Sequence, residues 1–252
     1  MQNYNNTHSI NKSRKVSLDT FSCESCVNAN CLIKRNLNYF VDTEFTNDKT
    51  TLRFKKGQQF IIEGTPVNGL FFILEGAVKV FRTGIHGREQ IVRFAKNGEI
   101  IGHRGFGTQE FYSIGATVLK DSVMCYFSKE SLQELLQINP KFTYDMMLFY
   151  ANELNNSESK VKSISQMSVR ERVIDTLLYI NRKFGQLNGF LNLALSRREY
   201  ADYAGTTEQQ VIRVFSALKK EELINAKGKK IGIENPELLK REINEHNFFI
   251  GS

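Results

Sequence analysis

Two hydrophobic patterns divide the chain. Short β-prone runs recur at Gln59–Ile62, Leu70–Leu74, Ala77–Phe81 and Gln90–Phe94, and two more follow at Ala116–Leu119 and Val123–Phe127. Eleven of the 17 glycines lie between Gly57 and Gly115, so the runs are separated by residues that turn without steric cost. Pro66 with Gly69 marks one turn, and Gly84 with Gly87 marks a hairpin. Short strands at this spacing predict an antiparallel roll or barrel over residues 51–139, preceded by an N-terminal segment, 1–50.

Beyond Ser128 the glycines stop and a period near 3.6 takes over. Ser128 caps a predicted short helix through Leu136, and Pro140 opens a longer one within residues 140–168. Along it Met147, Leu154 and Val161 recur every seven residues, with Tyr150 and Ile164 on a companion stripe. An apolar seam this narrow suits pairing with an identical helix, and packing against the chain's own roll is the competing use.

A third unit, 169–252, begins with an amphipathic helix over Arg170–Phe184. Ser196 with Glu199 reads as a capping box opening a short helix that ends at Gly205, and Thr207 with Gln210 as a second box opening a helix to about Lys220. Helix, glycine turn, helix is the arrangement that offers a reading helix to DNA. On the second helix Val211, Val214, Phe215 and Leu218 fall on one face, leaving Gln209, Ile212, Arg213, Ser216 and Lys220 outward. Arg suits a bidentate contact to guanine, Gln to adenine, and an aliphatic tip a thymine methyl. The run Leu223–Ile233, with Lys227, Lys229 and Lys230 at its glycine turn, reads as a basic-tipped wing for phosphates.

Composition narrows the picture without changing it. Lys plus Arg number 34 against 27 Asp plus Glu, a formal net charge of +7 that permits a nucleic-acid partner. The excess is spread over the three units rather than gathered in a tail, so any such site must be a local arrangement in a folded domain. No apolar run approaches the ~20 residues a bilayer span needs, and the start of the chain has no apolar signal region, so a cytoplasmic protein is expected.

Four cysteines remain. Cys23, Cys26 and Cys31 form C-x2-C-x4-C, and Cys125 stands on a predicted strand. Three clustered thiols and one distant thiol are a donor set for zinc or an iron–sulfur cluster, and spacing alone does not choose between them. A buried, inert Cys125 is the alternative. No phosphate loop, dinucleotide fingerprint, G-x-S-x-G or H-E-x-x-H is present, and His8, His86, His103 and His246 are scattered, so an enzyme is not expected.

The GEIIG stretch at Gly98–Gly102, the V-R-E-R run before Val173 and the S-R-R-E…T-T-E-Q-Q-V-I-R stretch together resemble the CRP/FNR family of bacterial transcription regulators, across about residues 20 to 235. The resemblance implies an α+β chain: a cyclic-nucleotide-binding-type β-roll, a dimerisation helix and a winged helix-turn-helix. It also implies a homodimer on an inverted-repeat operator in double-stranded DNA, with contacts to RNA polymerase. Ser196, Arg197, Thr207, Gln209, Gln210, Ile212, Arg213, Ser216, Lys220, Lys229 and Lys230 then form the DNA-binding set.

Where CRP-like members place an acidic residue and an arginine for cyclic AMP, this chain has His103 and Tyr112, so cyclic AMP is not expected. FNR-like members hold an oxygen-labile [4Fe–4S] cluster with an N-terminal cysteine trio and one roll cysteine; Cys23, Cys26, Cys31 and Cys125 match, with one residue fewer in the second gap. A regulator with zinc, or with another effector in the roll, is the alternative. At the base-reading position usually filled by Glu stands Gln209, so a different half-site is expected. FNR has an aspartate in its dimer seam; the matching position is Ser157, with Glu158 adjacent.

Overall fold

The computed structural model describes residues 22–39, 48–106 and 110–243. The rest of the N-terminal segment, with His8, and the C-terminal His246 lie outside them.

Strands β1 (Thr50–Phe54), β2 (Gln59–Ile61), β3 (Gly69–Thr83), β4 (Glu89–Lys96), β5 (Ile100–Ile101) and β6 (Gly115–Ser128) form one antiparallel sheet. Its order is β1-β6-β3-β4, with β2 on β6 and β5 on β3. The expected runs Leu70–Leu74 and Ala77–Phe81 are a single strand of 15 residues, and Ala116–Leu119 joins Val123–Phe127 in one of 14. The reason lies at Gly76. It adopts φ +137°, and a Cβ there would lie 2.0 Å from Ser122 Oγ. The register between β3 and β6 shifts on either side of it. The glycine makes a bulge that bends a continuing strand instead of a turn that ends one. Strand β1 follows no glycine punctuation and was not signalled by it.

Helices follow as the caps dictate. Ser128 accepts from the Ser131 amide and opens α2 (Lys129–Ile138); Asn139 accepts from Phe142 and opens α3 (Pro140–Gln166). Ser168 with Glu171 forms a reciprocal capping box for α4 (Val169–Phe184). The C-terminal unit continues through the small hairpin of β7 (Gln186–Leu187) and β8 (Phe190–Leu191), helices α5 (Arg197–Ala204) and α6 (Glu208–Lys220), strands β9 (Ile224–Lys227) and β10 (Lys230–Ile233), and α7 (Pro236–Glu242).

Among the described residues three apolar cores result. One fills the roll with Ile61, Ile73, Val78, Ile101 and Met124. A second joins Leu70, Phe72 and Phe127 to Leu132 and Phe142 and to α1 (Leu32–Asn36) through Ile33. The third belongs to the C-terminal unit, through Val173, Leu177, Tyr200, Val211 and Phe215, yet it also contains Phe81, Ile91 and Phe94 from the roll. The Phe94 and Tyr203 rings stand 5.1 Å apart, and Gln90 Nε2 donates to the Asp202 carbonyl. The last unit is therefore seated on β4 of its own chain.

Helix α3 has two unlike faces. Met147, Leu154 and Val161 are 57%, 60% and 67% exposed, at the expected seven-residue spacing. Tyr150 and Ser157, expected in the same seam, are turned to the chain's own roll: the Tyr150 hydroxyl donates to the His103 carbonyl at 2.8 Å, and Arg104 Nη2 reaches Ser157 Oγ at 3.4 Å. Ile164, the last seam position, is 40% exposed and borders Gly205. The fully open stripe is completed instead by Tyr144, Ala151 and the charged Glu158. The companion stripe lies three residues on, about 60° round the helix from the first at 3.6 residues per turn, and that offset turns Tyr150 and Ser157 toward the roll.

Candidate functional site

The four thiols, spread over the sequence from Cys23 to Cys125, line one small pocket closed by Ile33, Phe72, Leu74 and Phe127. Local backbone bonds shape the trio. The Cys26 amide donates to the Cys23 carbonyl and the Cys31 amide to the Asn28 carbonyl, which folds residues 23–31 into consecutive turns. Cys31 then caps α1. Asn28 Nδ2 donates to the Leu74 carbonyl at 2.6 Å, tying the turns to β3. Across the pocket Cys125 lies on β6, where it pairs with Phe72 of β3. Gly98, with φ +84°, passes close beneath the loop, 3.3 Å from the Asn30 Cβ on an added Cβ.

Burial dominates the chemistry here. It pushes the Cys23 and Cys31 thiols up and Cys125 up to about 12, against the pull of Lys49 on Cys23 and Cys125. Sulfurs in such a place are neutral thiols until a cation displaces their protons. Among the described residues no three His, Cys, Asp or Glu side chains stand close enough together to grip a single metal ion. A cluster of several irons spreads its ligands wider than one ion does. An all-sulfur donor set in an apolar pocket fits that kind of group. Lys49, only 8% exposed and part of this pocket, was not flagged by the sequence, since it lies in no motif.

The cyclic-nucleotide positions are occupied differently. His103 is buried, its Nε2 3.3 Å from Glu153 Oε2, and desolvation holds its pKa below the usual imidazole value. The Tyr112 hydroxyl donates to the Gly69 carbonyl at 2.8 Å, inside the roll core.

The second site is built on α5 and α6. Ser196 accepts from the Glu199 amide, and the Glu199 carboxylate accepts from both the amide and the hydroxyl of Ser196. Gly205, at φ +65°, makes the left-handed turn between the helices. Thr207 accepts from the Gln210 amide at 3.3 Å, the cap expected there, without the reciprocal side-chain bond of a full box. Val211, Phe215 and Leu218 are buried, and Gln209, Gln210, Ile212, Arg213, Ser216 and Lys220 are exposed on the other face. Ser216 Oγ donates back to the Ile212 carbonyl.

Four members of the expected DNA-binding set are engaged internally: Thr207 and Ser216 through the bonds just given, and Ser196 and Arg197 besides. Ser196 is used by its own cap. The Arg197 guanidinium lies 4.7 Å from the Phe215 ring and donates to the Gly228 carbonyl at 3.1 Å, fastening the wing tip to the reading helix. Lys227, Lys229 and Lys230 stay exposed beyond it. A further clamp escaped the sequence reading: Arg170 of α4 bonds both Glu221, just after α6, and Glu242 of α7.

The chain matches a cyclic nucleotide-binding domain over residues 51–139 and a Crp-like helix-turn-helix domain over residues 171–242. It is 30% identical to the transcriptional activator protein Anr of Pseudomonas aeruginosa over 71% of its own length and 74% of that protein. The chain belongs to the CRP/FNR family. Within it the FNR-like branch is indicated, since the fumarate nitrate reduction regulatory protein of Klebsiella oxytoca is 28% identical over 73% of this chain and 75% of its own. The fold agrees with FixK2 from Bradyrhizobium japonicum, at TM-score 0.69 and 24% identity, covering 77% of this chain and 96% of that one. It agrees equally with the c-di-GMP responsive regulator CLP of Xanthomonas campestris, at TM-score 0.68 and 19% identity, over 77% and 100%. As a CRP/FNR member the protein is a DNA-binding transcriptional regulator and not an enzyme, and regulators of this family act as dimers. Among the described residues no helix is long and apolar enough to cross a membrane.

Proposed function

We propose that this CRP/FNR regulator senses oxygen or redox state through a [4Fe–4S] cluster on Cys23, Cys26, Cys31 and Cys125, and reads an inverted-repeat operator with α6. The convergence of the trio and the distant Cys125 on one apolar pocket carries the reading. Bound there, the cluster supplies oxygen-labile redox chemistry. The chain's own part is to furnish four sulfurs, exclude water with Phe72, Leu74 and Phe127, and anchor the loop on β3 through Asn28. Cyclic AMP is not the proposed effector, because Tyr112 carries no positive charge and its hydroxyl is already engaged.

For DNA, Arg213 is assigned a bidentate guanine contact and Gln209 an adenine contact, with Ile212 beside them. Lys220, Lys229 and Lys230 take phosphates, and Arg197 holds the wing in place. A two-fold dimer through Met147, Leu154 and Val161 presents two α6 helices roughly 34 Å apart, one helical turn of DNA. RNA polymerase in the cytoplasm is the expected partner at the promoter. The test is an anaerobic visible spectrum with iron and acid-labile sulfide analysis. Thiolate-to-iron absorbance that bleaches in air, with matching sulfide, supports the reading; stoichiometric zinc without sulfide overturns it.

A further inference from the structure

The three units meet at a cavity of about 180 Å³ that is separate from both sites above. Arg93 of β4 and Arg104 after β5 form one wall, Glu153 and Lys160 of α3 a second, and Asp175, Arg182 and Lys183 of α4 the third, with Tyr203 of α5 at its edge. The charges do not balance. Glu153 serves two guanidiniums, Arg93 at 2.7 Å and Arg104 at 3.7 Å. From behind, Glu99 meets Lys183 at 2.8 Å and Arg93 at 3.3 Å. Lys160 and Arg182 have no carboxylate at ion-pair distance among the described residues. Lys160 rests on the face of the Tyr203 ring, 3.7 Å from its centroid. Desolvation holds the Lys160 ammonium down to about 8, against the pull of Asp175. Lys160 is enclosed with only the longer-range pull of Asp175, and Arg182, exposed at the rim, shares that one carboxylate, which leaves positive charge in excess in the junction.

We propose that this junction binds a small phosphate-bearing anion, inorganic phosphate or a phosphomonoester of a few carbons, between Lys160, Arg182 and Arg104. Size sets the class: about 180 Å³ is many times the ~10–15 Å³ of such space that one water needs, enough for phosphate with a short substituent. Geometry sets the headgroup. Donors arrive from three walls, two of them planar guanidinium forks, which suits an acceptor with three outward oxygens better than a flat carboxylate. Because each wall belongs to a different unit, the anion favours the arrangement in which the C-terminal unit is seated on the roll.

The test uses the full-length protein, with calorimetry and phosphorus NMR at ionic strength held constant by chloride. Inorganic phosphate and glycerol phosphate are titrated separately, the tighter of the two identifying the source. One saturable site per chain is expected, with an unfolding midpoint that rises to a plateau as the site fills. Arg182→Ala, at an exposed position, and Lys160→Gln should each weaken binding about tenfold or more, the loss of one charge-assisted hydrogen bond. The exposed cations of α6 and the wing are the competing location for any anion. Binding that never saturates, that persists unchanged in both variants, or that disappears instead in Arg213→Ala with Lys229→Ala overturns the proposal.

Discussion

The thiol pocket and the reading helix handle their functional side chains in opposite ways. Cys23, Cys31 and Cys125 are half-buried, and their pKa values rise because burial outweighs the pull of Lys49 on Cys23 and Cys125. Gln209, Arg213 and Lys220 stand in solvent on a helix whose inner face is locked by Val211, Phe215 and Leu218. On the proposed function the thiol pocket is incomplete until a cofactor fills it, so its residues should act as a unit. A site that waits for DNA is already formed, and its residues act one by one. The difference predicts how each region fails.

The largest effect belongs to the pocket. Cys125→Ser should abolish stable cluster assembly outright, read as absent visible absorbance and iron under anaerobic conditions, with operator binding reduced in the same preparation. Retention of a full cluster would move the fourth ligand elsewhere and leave the trio standing. The helix between the two regions comes next. Leu154 is bare in one chain, so Leu154→Ala should cost the dimer ~2–5 kcal/mol while leaving the monomer's melting unchanged, read by sedimentation. Equal loss in monomer stability would mean that this face packs at home.

On the reading helix, Arg213→Ala should cost ~1–3 kcal/mol per half-site and relax choice at one base pair, measured by selection from random DNA. Replacing Lys229 and Lys230 should weaken every sequence alike and flatten the salt dependence.

How much of this was open to the sequence follows from the same contrast. Capping residues, the glycine turn at Gly205 and the inward stripe of α6 act locally, so Ser128, Ser196 and Thr207 announced their helices. The cysteine spacing likewise announced a donor set. Facts that depend on long-range seating were hidden. Whether Gly76 turns or bulges is decided by Ser122 across the sheet. Tyr150 and Ser157 look like seam residues until His103 and Arg104 are placed beside them. Arg197 reads as a DNA contact until the Phe215 ring and the wing tip arrive.

The smallest expected effect tests that hidden seating. His103 faces Glu153, Arg93, Arg104 and the rings of Phe149 and Tyr150, and desolvation holds its pKa below that of an unfolded chain's imidazole. The unfolded state therefore binds the extra proton first, and stability should fall as pH drops below ~6.5, by at most ~1.4 kcal/mol per unit. Chemical denaturation at stepped pH checks the slope, which His103→Gln should reduce. A slope unchanged in His103→Gln would assign it to other groups.

The core shared by Phe81, Ile91, Phe94 and the C-terminal helices also bears on how the protein is made. Synthesis delivers the roll first, so these side chains leave the ribosome long before Leu177, Tyr203 and Phe215 exist to cover them. Until then the nascent roll carries an uncovered aromatic flank, an invitation to chaperones and to neighbouring chains on the same polysome. A chain that stops after α3 keeps that flank for life. Such a fragment should bind a hydrophobic dye and aggregate at concentrations where the complete chain stays dispersed, and a fragment that stays clear at those concentrations would show that the roll closes this face alone.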